Sequence, residues 1–294
     1  MTFRKDASYN TGRASSSGGG RGGLIAGGGV GTLVIVGLYL FLGGNPSDLG
    51  SLLSQGGGLS TDRNSGNYSL EHCQGAAEDA NAHDDCRMIA TAQTLDEVWE
   101  TLLPEQAGLA YTQPGLNLFQ SSVNTGCGAA SSATGPFYCP GDETVYLDVS
   151  FFEQLATLGG SAGPLAQMYI EAHEFGHHIQ NLEGTLGLSD YRNPGADSNA
   201  VKIELQADCY GGLWAHYANN NHGLEAFSEE QLNQAIETAG AVGDDNIQRR
   251  SGGEVNPEGF THGTSQERKE AFLRGYDTGK MASCDTLERG VYQG

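Results

Sequence analysis

The sequence predicts an α+β protein: a mainly helical domain with a small antiparallel sheet, preceded by one transmembrane helix. Three observations support this fold class. Residues 24–42 form an uncharged, apolar run. Short β-type segments separated by Gly, Pro and Ser occupy residues 109–149, and apolar residues at helical spacing dominate the chain beyond them. A chain of 294 residues is long enough for one good-sized core and a tail.

Composition divides the chain into four parts. Residues 1–23 are rich in Ser, Gly and Arg, which predicts a disordered cytoplasmic tail. Residues 24–42 would form a helix of about 28 Å, close to the thickness of a hydrocarbon core, and are the predicted membrane anchor. Residues 43–69 are rich in Gly, Ser, Asn and Asp and are predicted to be a flexible linker. Residues 70–294 are the predicted folded domain.

The charges around the apolar run predict its orientation. Among the twenty residues on either side of the run, positive charge lies only before it, so we expect a single-pass protein of the cell membrane, with a cytoplasmic N-terminus and an extracytoplasmic domain. A cleaved signal peptide is the rival interpretation, but no A-x-A-like site follows and the run is long for a signal peptide. A soluble cytosolic protein with a Gly-rich tail is the third.

The first part of the domain is predicted to contain two helices and then strands. Residues 71–92 have a helical pattern, and Thr94 with Glu97 matches a capping box that opens a second short helix. The strand region follows, with 144–149 as its clearest strand. A second capping box, at residues 150–153, opens the next short helix.

Four longer helical segments complete the domain. One begins near Pro164 and ends near Gly184, where proline suits a first turn and glycine a stop. Its broad apolar stripe comprises Leu165, Met168, Ala172, Phe175, Ile179 and Leu182. The others cover residues 197–220, with Asp197 or Ser198 as N-cap, 228–239 and 265–278. Residues 243–263 are polar and Gly-rich and are expected to border a cleft.

The sequence His-Glu-Phe-Gly-His at residues 173–177 is the strongest indication of chemistry. Positions i and i+4 share one face of a helix, so His173 and His177 could bind one Zn²⁺. Glu174 would then act as general base toward a metal-activated water. The alternative is a solvated helix that carries two histidines by chance. A buried helix with these polar groups in its middle favours the metal.

A catalytic zinc usually has three protein ligands and one open position. The downstream candidates for the third ligand are Glu204, Asp208 and His216. Glu204 and Asp208 are again four residues apart, so one could bind the metal while the other accepts the spare N–H of a ligating histidine. Spacing alone does not choose between them.

Six cysteines agree with export to an oxidising compartment. They allow fifteen disulfide connectivities, which the sequence does not settle. Local pairing is the simplest hypothesis: Cys73 with Cys86, Cys127 with Cys139, and the remaining Cys209 with Cys284. A free, buried Cys209 is the alternative.

The formal charge of −21 makes nucleic acid a poor partner, so none is expected. A peptide or protein substrate is the expected partner, in addition to the membrane. Oligomeric state is left open by the sequence.

The layout resembles that of the bacterial putative neutral zinc metallopeptidase family, whose members are membrane-anchored. The shared features are a Gly-rich N-terminal span, YCPGDETVYLDVSFF, EAHEFGHHIQ, ELQADCYGGLWAH and FTHGTSQERKEAF, which cover the chain from about residue 71 to its end. HEFGH followed by ELQAD is also similar to the gluzincin pattern, HExxH and then ExxxD.

The resemblance implies a zincin-like fold and one zinc ion per chain. By it, His173, His177 and Glu204 are the ligands, Glu174 is the base, and Asp208 contacts a ligating histidine. It also implies that the strand from Val145 to Asp148, through Tyr146 and Leu147, lies at the edge of the sheet over the zinc and binds the substrate backbone. An ordinary core strand is the alternative.

Peptide hydrolysis needs a donor for the developing oxyanion, and we predict His262 for this role. The segment from His262 to Arg268 resembles the H-P-x-x-x-x-R segment of membrane-linked gluzincins, except that Gly263 replaces proline. The alternative role for His262 is to cap the next helix. Tyr146 or another tyrosine could then be the oxyanion donor instead. Arg268 is interpreted as a structural ion-pair partner.

These observations predict a membrane-anchored, zinc-dependent endopeptidase. Two other functions stay open. One is a zinc amidase that acts on cell-wall peptides, and the other is a non-catalytic, zinc-stabilised binding protein of the envelope, which would require a fourth protein ligand.

Overall fold

The computed structural model describes residues 2–18 and 68–293, and about half of them are helical. The helices are α1 (Ala77–Ala82), α2 (Asp84–Ala107), α3 (Phe151–Leu158), α4 (Pro164–Leu182), α5 (Asn199–Ala218), α6 (Glu229–Ala241), α7 (Asp244–Arg250) and α8 (Ser265–Thr278). The strands are β1 (Ser15–Gly18), β2 (Gly115–Gln120), β3 (Ser122–Thr125), β4 (Gly128–Ser131), β5 (Phe137–Cys139) and β6 (Thr144–Asp148). The predicted α+β class is confirmed.

Four strands form one sheet in the order β1-β2-β6-β5, and β3 pairs with β4 in a separate hairpin. Strand β2 is parallel to both β1 and β6, whereas β5 and β6 are antiparallel. The sheet is therefore mixed, and the prediction of an antiparallel sheet is wrong. Strand direction depends on the connections, and here a hairpin and β5 intervene between β2 and β6. The period-two pattern of a single strand does not show whether its neighbours run parallel or antiparallel to it.

Helix α4 lies at the centre of the domain and is buried along most of its length. It packs against α2, α5 and α6 and against strands β5 and β6. Pro164 occupies its first turn as predicted, because a missing N–H costs nothing at that position. Phe175 and Ile179 are fully buried in the core. The middle turns of α4 are thus held by neighbours on several sides.

The predicted break between two helices near residue 94 is wrong, because α2 passes through it unbroken. The Thr94 hydroxyl donates to the Thr91 carbonyl (2.8 Å) and accepts from the Trp214 indole N–H (3.1 Å), so it does not cap a helix. Ser198, by contrast, caps α5 as expected. Helix α8 has the predicted bounds, while α7 was not predicted.

The three disulfides are those expected from local pairing: Cys73–Cys86, Cys127–Cys139 and Cys209–Cys284. The third bond joins α5 to the segment that follows α8. Cys209 is therefore not free, and the segment after α8 is covalently tied to the helix that carries Glu204.

The first residues are folded, so the prediction of a disordered tail is wrong for residues 2–18, which we call the N-terminal strap. Strand β1 extends the sheet beside β2, and Phe3 and Tyr9 are buried in the core. Composition predicted disorder because the strap has few apolar residues, but their partners lie elsewhere in the chain. The rest of the predicted tail, the anchor at 24–42 and nearly all of the linker lie outside the described residues.

Within residues 2–18 and 68–293, no helix combines the length and apolar character needed to cross a membrane.

Helices α5 and α8 touch backbone to backbone at two glycines. A Cβ atom on Gly275 would lie 1.9 Å from the Cys209 carbonyl oxygen, and one on Gly212 would lie 1.9 Å from that of Phe272. Since real Cβ atoms do not approach so closely, only glycine permits this spacing. The contact sets the distance between Arg268 on α8 and Asp208 on α5.

We expect Gly275→Ala to lower the free energy of unfolding by about 3 kcal/mol or more, because the new methyl group forces the two helices apart. Denaturant unfolding of the purified protein measures this change. Gly187→Ala is the control, since a Cβ there has no atom within 4 Å, and should change stability by less than about 0.5 kcal/mol. Equal stability of the two variants would contradict the packing argument.

Candidate metal centre

Helix α4 presents His173, Glu174 and His177 to one cavity. The two imidazoles are one helical turn apart, with ring centres separated by 4.7 Å. All three side chains are largely buried, and Glu174 keeps 8% of its surface exposed. The predicted common face of the HEFGH segment is therefore present.

Helix α5 brings Glu204 to the two histidines. Its Oε2 lies 3.1 Å from His173 Nε2, and its Oε1 lies 3.6 Å from His177 Nε2. The potential ligand atoms of the three residues all lie within 4.8 Å of one another. Two ligands at about 2.0–2.1 Å from a tetrahedral zinc are about 3.3 Å apart, so this donor set fits the ion.

Asp208 lies one turn further along α5 and contacts the other side of the His173 ring. Nδ1 of His173 donates to Asp208 Oδ1 (2.8 Å), which leaves Nε2 directed at Glu204. Arg268 binds both oxygens of Asp208, through Nε (2.7 Å) and Nη2 (2.9 Å), and Tyr169 donates to Oδ1. The interpretation of Arg268 as a structural ion-pair partner is confirmed. His216 lies at the far end of α5 and bonds to the Tyr276 carbonyl instead.

Gln180 performs the corresponding function for His177, and the sequence analysis missed it. Its Oε1 accepts from His177 Nδ1 (2.9 Å). Its amide donates to the Ile203 carbonyl (2.7 Å) and to Gln206 Oε1 (3.0 Å), which fixes the orientation of the side chain. A glutamine three residues after a ligating histidine, on a buried helix, was the available indication.

The three carboxyl groups of the site differ in pKa because their surroundings differ. Burial raises the pKa of Glu174, and the nearby histidines only partly oppose it. Burial also acts to raise the pKa of Glu204, but His177, His262 and two imidazole hydrogen bonds hold it well below its ordinary value. For Asp208, burial again acts to raise the pKa, but the charges of Arg268 and His173 and their hydrogen bonds together lower it to about 2. Glu204 is thus kept as an anion suited to a cation, while Glu174 is suited to accept a proton.

These residues open onto a cavity of about 530 Å³. Most of its remaining wall is apolar and is formed by Pro136, Phe137, Tyr138, Pro140, Phe151, Ile170, Leu186, Leu188 and Val242. The polar part includes His262, Arg268 and the segment from Ser189 to Arg192. A cavity of this size and lining is typical of a site for an organic ligand.

The strand beside the cavity is β5 and not β6, so the prediction for Val145, Tyr146, Leu147 and Asp148 is wrong. Strand β6 is paired on both sides, with β2 and with β5, and none of these four residues lines the cavity. Val145 and Leu147 are core residues, and Asp148 binds Ser132 and Ser150. Alternation within a strand does not reveal its place in a sheet.

Strand β5 is held against α4 by His178. Its Nε2 donates to the Thr112 carbonyl (2.6 Å), and its Nδ1 accepts from the Tyr138 hydroxyl (3.0 Å). The backbone amide of Tyr138 in turn stabilises the charged form of Glu174. These contacts therefore fix the position of the edge strand relative to Glu174.

His262 lines the cavity, as predicted, and Asp244 fixes its position. The backbone N–H groups of Thr261, His262 and Gly263 all donate to Asp244 Oδ2, and His262 Nδ1 lies 3.3 Å from Oδ1. Gly263 has φ +86°, and its N–H is used, so proline is excluded here on both counts. This explains the departure from the H-P-x-x-x-x-R pattern.

Tyr191 is a second residue that the sequence analysis missed. Its hydroxyl donates to Glu204 Oε1 (2.9 Å), and its ring lines the cavity. It belongs to the irregular segment between α4 and α5, where neither spacing nor periodicity gives a prediction.

A second group of metal-type side chains comprises His72, Cys73, Asp85 and Cys86. Both cysteines are joined in a disulfide and offer no thiolate. His72 and Tyr68 are bonded to Asp85 instead. This group is therefore structural.

Comparison with known proteins agrees with the site. The sequence model of the family described as "Putative neutral zinc metallopeptidase" matches residues 3–287. The uncharacterized protein Rv2575 of Mycobacterium tuberculosis (strain H37Rv) is 45% identical over 248 residues, which are 82% of this chain and 83% of that protein. The uncharacterized protein YpfJ of Escherichia coli (strain K12) is 41% identical over 203 residues, 67% and 69% of the two chains. No solved structure matches significantly.

We expect Gln180→Ala to lower zinc affinity about 10- to 100-fold, because His177 loses the partner that fixes its tautomer. Competition with a chromophoric chelator measures the affinity. Gln167→Ala is the matched control: Gln167 is also buried on α4, but it bonds to Arg87 and the Ala162 carbonyl. Unchanged affinity in Gln180→Ala would show that this bond does not support the site.

Proposed function

We propose that this chain, which belongs to the "Putative neutral zinc metallopeptidase" family, is a zinc-dependent endopeptidase with a glutamate general base. One observation carries the proposal: donor atoms of His173, His177 and Glu204 converge within 4.8 Å at the wall of a cavity that Glu174 also faces. The described residues supply three ligands to this cluster, the number typical of a catalytic rather than a structural zinc.

His173, His177 and Glu204 would hold one zinc ion. When bound, the ion supplies Lewis acidity, which lowers the pKa of a water molecule to about 7 and polarises a carbonyl. The charges and hydrogen bonds of the site hold the three ligands in the orientation and protonation state that bind a cation. Asp208 and Gln180 accept the Nδ1 protons, so that both Nε2 atoms carry lone pairs toward the ion.

Glu174 would move the protons. Its raised pKa lets it accept a proton from the attacking water and then deliver that proton to the leaving amine nitrogen. The backbone amide of Tyr138 orients the carboxylate for both steps. No covalent enzyme intermediate is needed. The one G-x-S-x-G match of the sequence, Gly159 to Gly163, lies between helices α3 and α4 and not on a strand-to-helix turn, and its Ser161 hydroxyl accepts from the Gly163 N–H.

His262 would stabilise the oxyanion of the tetrahedral intermediate. It lies on the cavity wall, close enough to Glu204 that its charge lowers the pKa of that carboxyl. Asp244 holds the ring through Nδ1 and the backbone, which is the arrangement expected of a fixed donor. The capping alternative finds no support, since Thr264 caps α8.

The substrate would be an extended peptide that pairs with β5. This strand ends the described sheet, and its Phe137 and Tyr138 line the cavity. An open strand edge recognises peptide backbone irrespective of sequence, while the apolar wall favours a bulky apolar side chain next to the cleaved bond. The three disulfides favour an extracytoplasmic location for the domain. A membrane anchor at residues 24–42 stays a prediction.

We expect Glu174→Gln to retain zinc and to lower kcat by about 10³-fold or more, because no carboxylate then accepts the proton. Cleavage of an internally quenched peptide and metal analysis of the same sample measure both properties. Glu183→Gln, at the C-cap of α4 and bonded to Tyr210, should keep its activity. Normal cleavage by the Glu174 variant would refute the base assignment.

We expect His262→Ala to lower kcat about 100-fold with little change in KM or zinc content, because the lost interaction forms only in the transition state. Steady-state kinetics on the same peptide provide the test. A fall in melting temperature without a fall in kcat would instead assign His262 a purely structural role.

A further inference from the structure

The N-terminal strap is joined to the rest of the protein along its whole length. Thr2 and Phe3 donate backbone N–H groups to Asn81 Oδ1, whose amide donates back to the Phe3 carbonyl. Backbone bridges then join Phe3 to Leu224 and Ser8 to Ala76. The strap ends as strand β1, in continuous parallel register with β2. These contacts span the whole strap and belong to no single local turn.

Its apolar side chains enter the main core. Phe3 is 3% exposed and Tyr9 8% exposed, and both belong to the same cluster as the apolar residues of α4 and α5. Without the strap, the surface that covers them would face water. An apolar surface of this kind marks an interaction site, and here the occupant is the chain's own N-terminus.

Arg13 makes the most specific contact between the strap and the domain. Its guanidinium binds Asp96 through Nε (2.5 Å) and Nη2 (3.2 Å), and its Cζ lies 5.7 Å from the ring centre of Phe175 on α4. Asp96 is 4% exposed, and its other partner is the Tyr111 hydroxyl (2.7 Å). Removal of Arg13 would leave a buried carboxylate without a counter-charge, which is strongly unfavourable. The domain is therefore built to receive this arginine.

The strap cannot dock on the domain if residues 24–42 cross the membrane once. The disulfides require an oxidising compartment for the domain, and a strap docked on the domain must share that compartment. One crossing by residues 24–42 would put the strap and the domain on opposite sides. The family match begins at residue 3, so the strap belongs to what the family shares.

We propose that residues 2–18 dock on the domain as a permanent strap, with Arg13 beneath the metal-binding helix, and that the N-terminus lies on the same side of the membrane as the domain. This differs from the cytoplasmic N-terminus expected from the flanking charges. It does not depend on peptidase activity.

The first test is labelling with a membrane-impermeant maleimide in bacterial spheroplasts that express the full chain. All six native cysteines are disulfide-bonded, so Ser16→Cys introduces a single thiol at an exposed position of the strap. Thr278→Cys, exposed at the end of α8, reports on the domain. We expect both variants to be labelled before lysis.

Labelling of Thr278→Cys alone before lysis would overturn the proposal. Labelling of neither variant until lysis would keep strap and domain on one side but would contradict the extracytoplasmic location. The strap proposal and the extracytoplasmic location of the domain are therefore contradicted by different outcomes.

The second test is hydrogen exchange of the purified full chain. Arg13→Gln should speed exchange of the β1 amides about 10-fold or more, and Asp96→Asn in the same chain should restore much of the protection by removing the unpaired charge. Arg4→Gln is the control, because Arg4 is a strap residue whose side chain is 39% exposed. Wild-type exchange in Arg13→Gln would overturn the role of Arg13.

Discussion

The ion pair between Asp208 and Arg268 is the interaction on which the geometry of the candidate metal centre depends. Both side chains are almost fully buried, and together they join α5 and α8. Asp208 also fixes the His173 ring on α4, so one carboxylate sets the relation of three helices. A buried pair of this kind contributes little net stability, but loss of either partner is costly. Its value here is orientation: it determines which nitrogen of His173 faces Glu204.

The sequence predicted the parts of the centre that follow from helical spacing. His173, Glu174 and His177 share a face because they lie within one turn, and the three disulfides were those of the simplest local pairing. The choice between Glu204 and Asp208 could not be made from spacing, because both lie on the same face of α5. It is decided by the position of α5 along α4, which directs Glu204 to Nε2 and Asp208 to Nδ1.

Predictions failed where long-range pairing decides the outcome. β6 has the stronger strand pattern, but the shorter β5 occupies the edge, because sheet order is a property of the whole fold. The strap looked disordered because its composition is polar, whereas Phe3 and Arg13 find their partners more than seventy residues away. Thr94 matched a capping box, yet a tryptophan from α5 uses its hydroxyl. In each case tertiary contacts overrode a local preference.

The bond between Cys209 and Cys284 closes a loop of 75 residues that contains α6, α7, His262 and α8. Such a closure contributes about 4 kcal/mol through the entropy of the unfolded chain. Before this bond forms, a newly made chain lacks the constraint, and the wall that carries His262 and Arg268 is held only by packing, hydrogen bonds and the ion pair with Asp208. Oxidation of the two thiols completes that wall, so the order of the cleft depends on the redox state of the compartment that holds the domain.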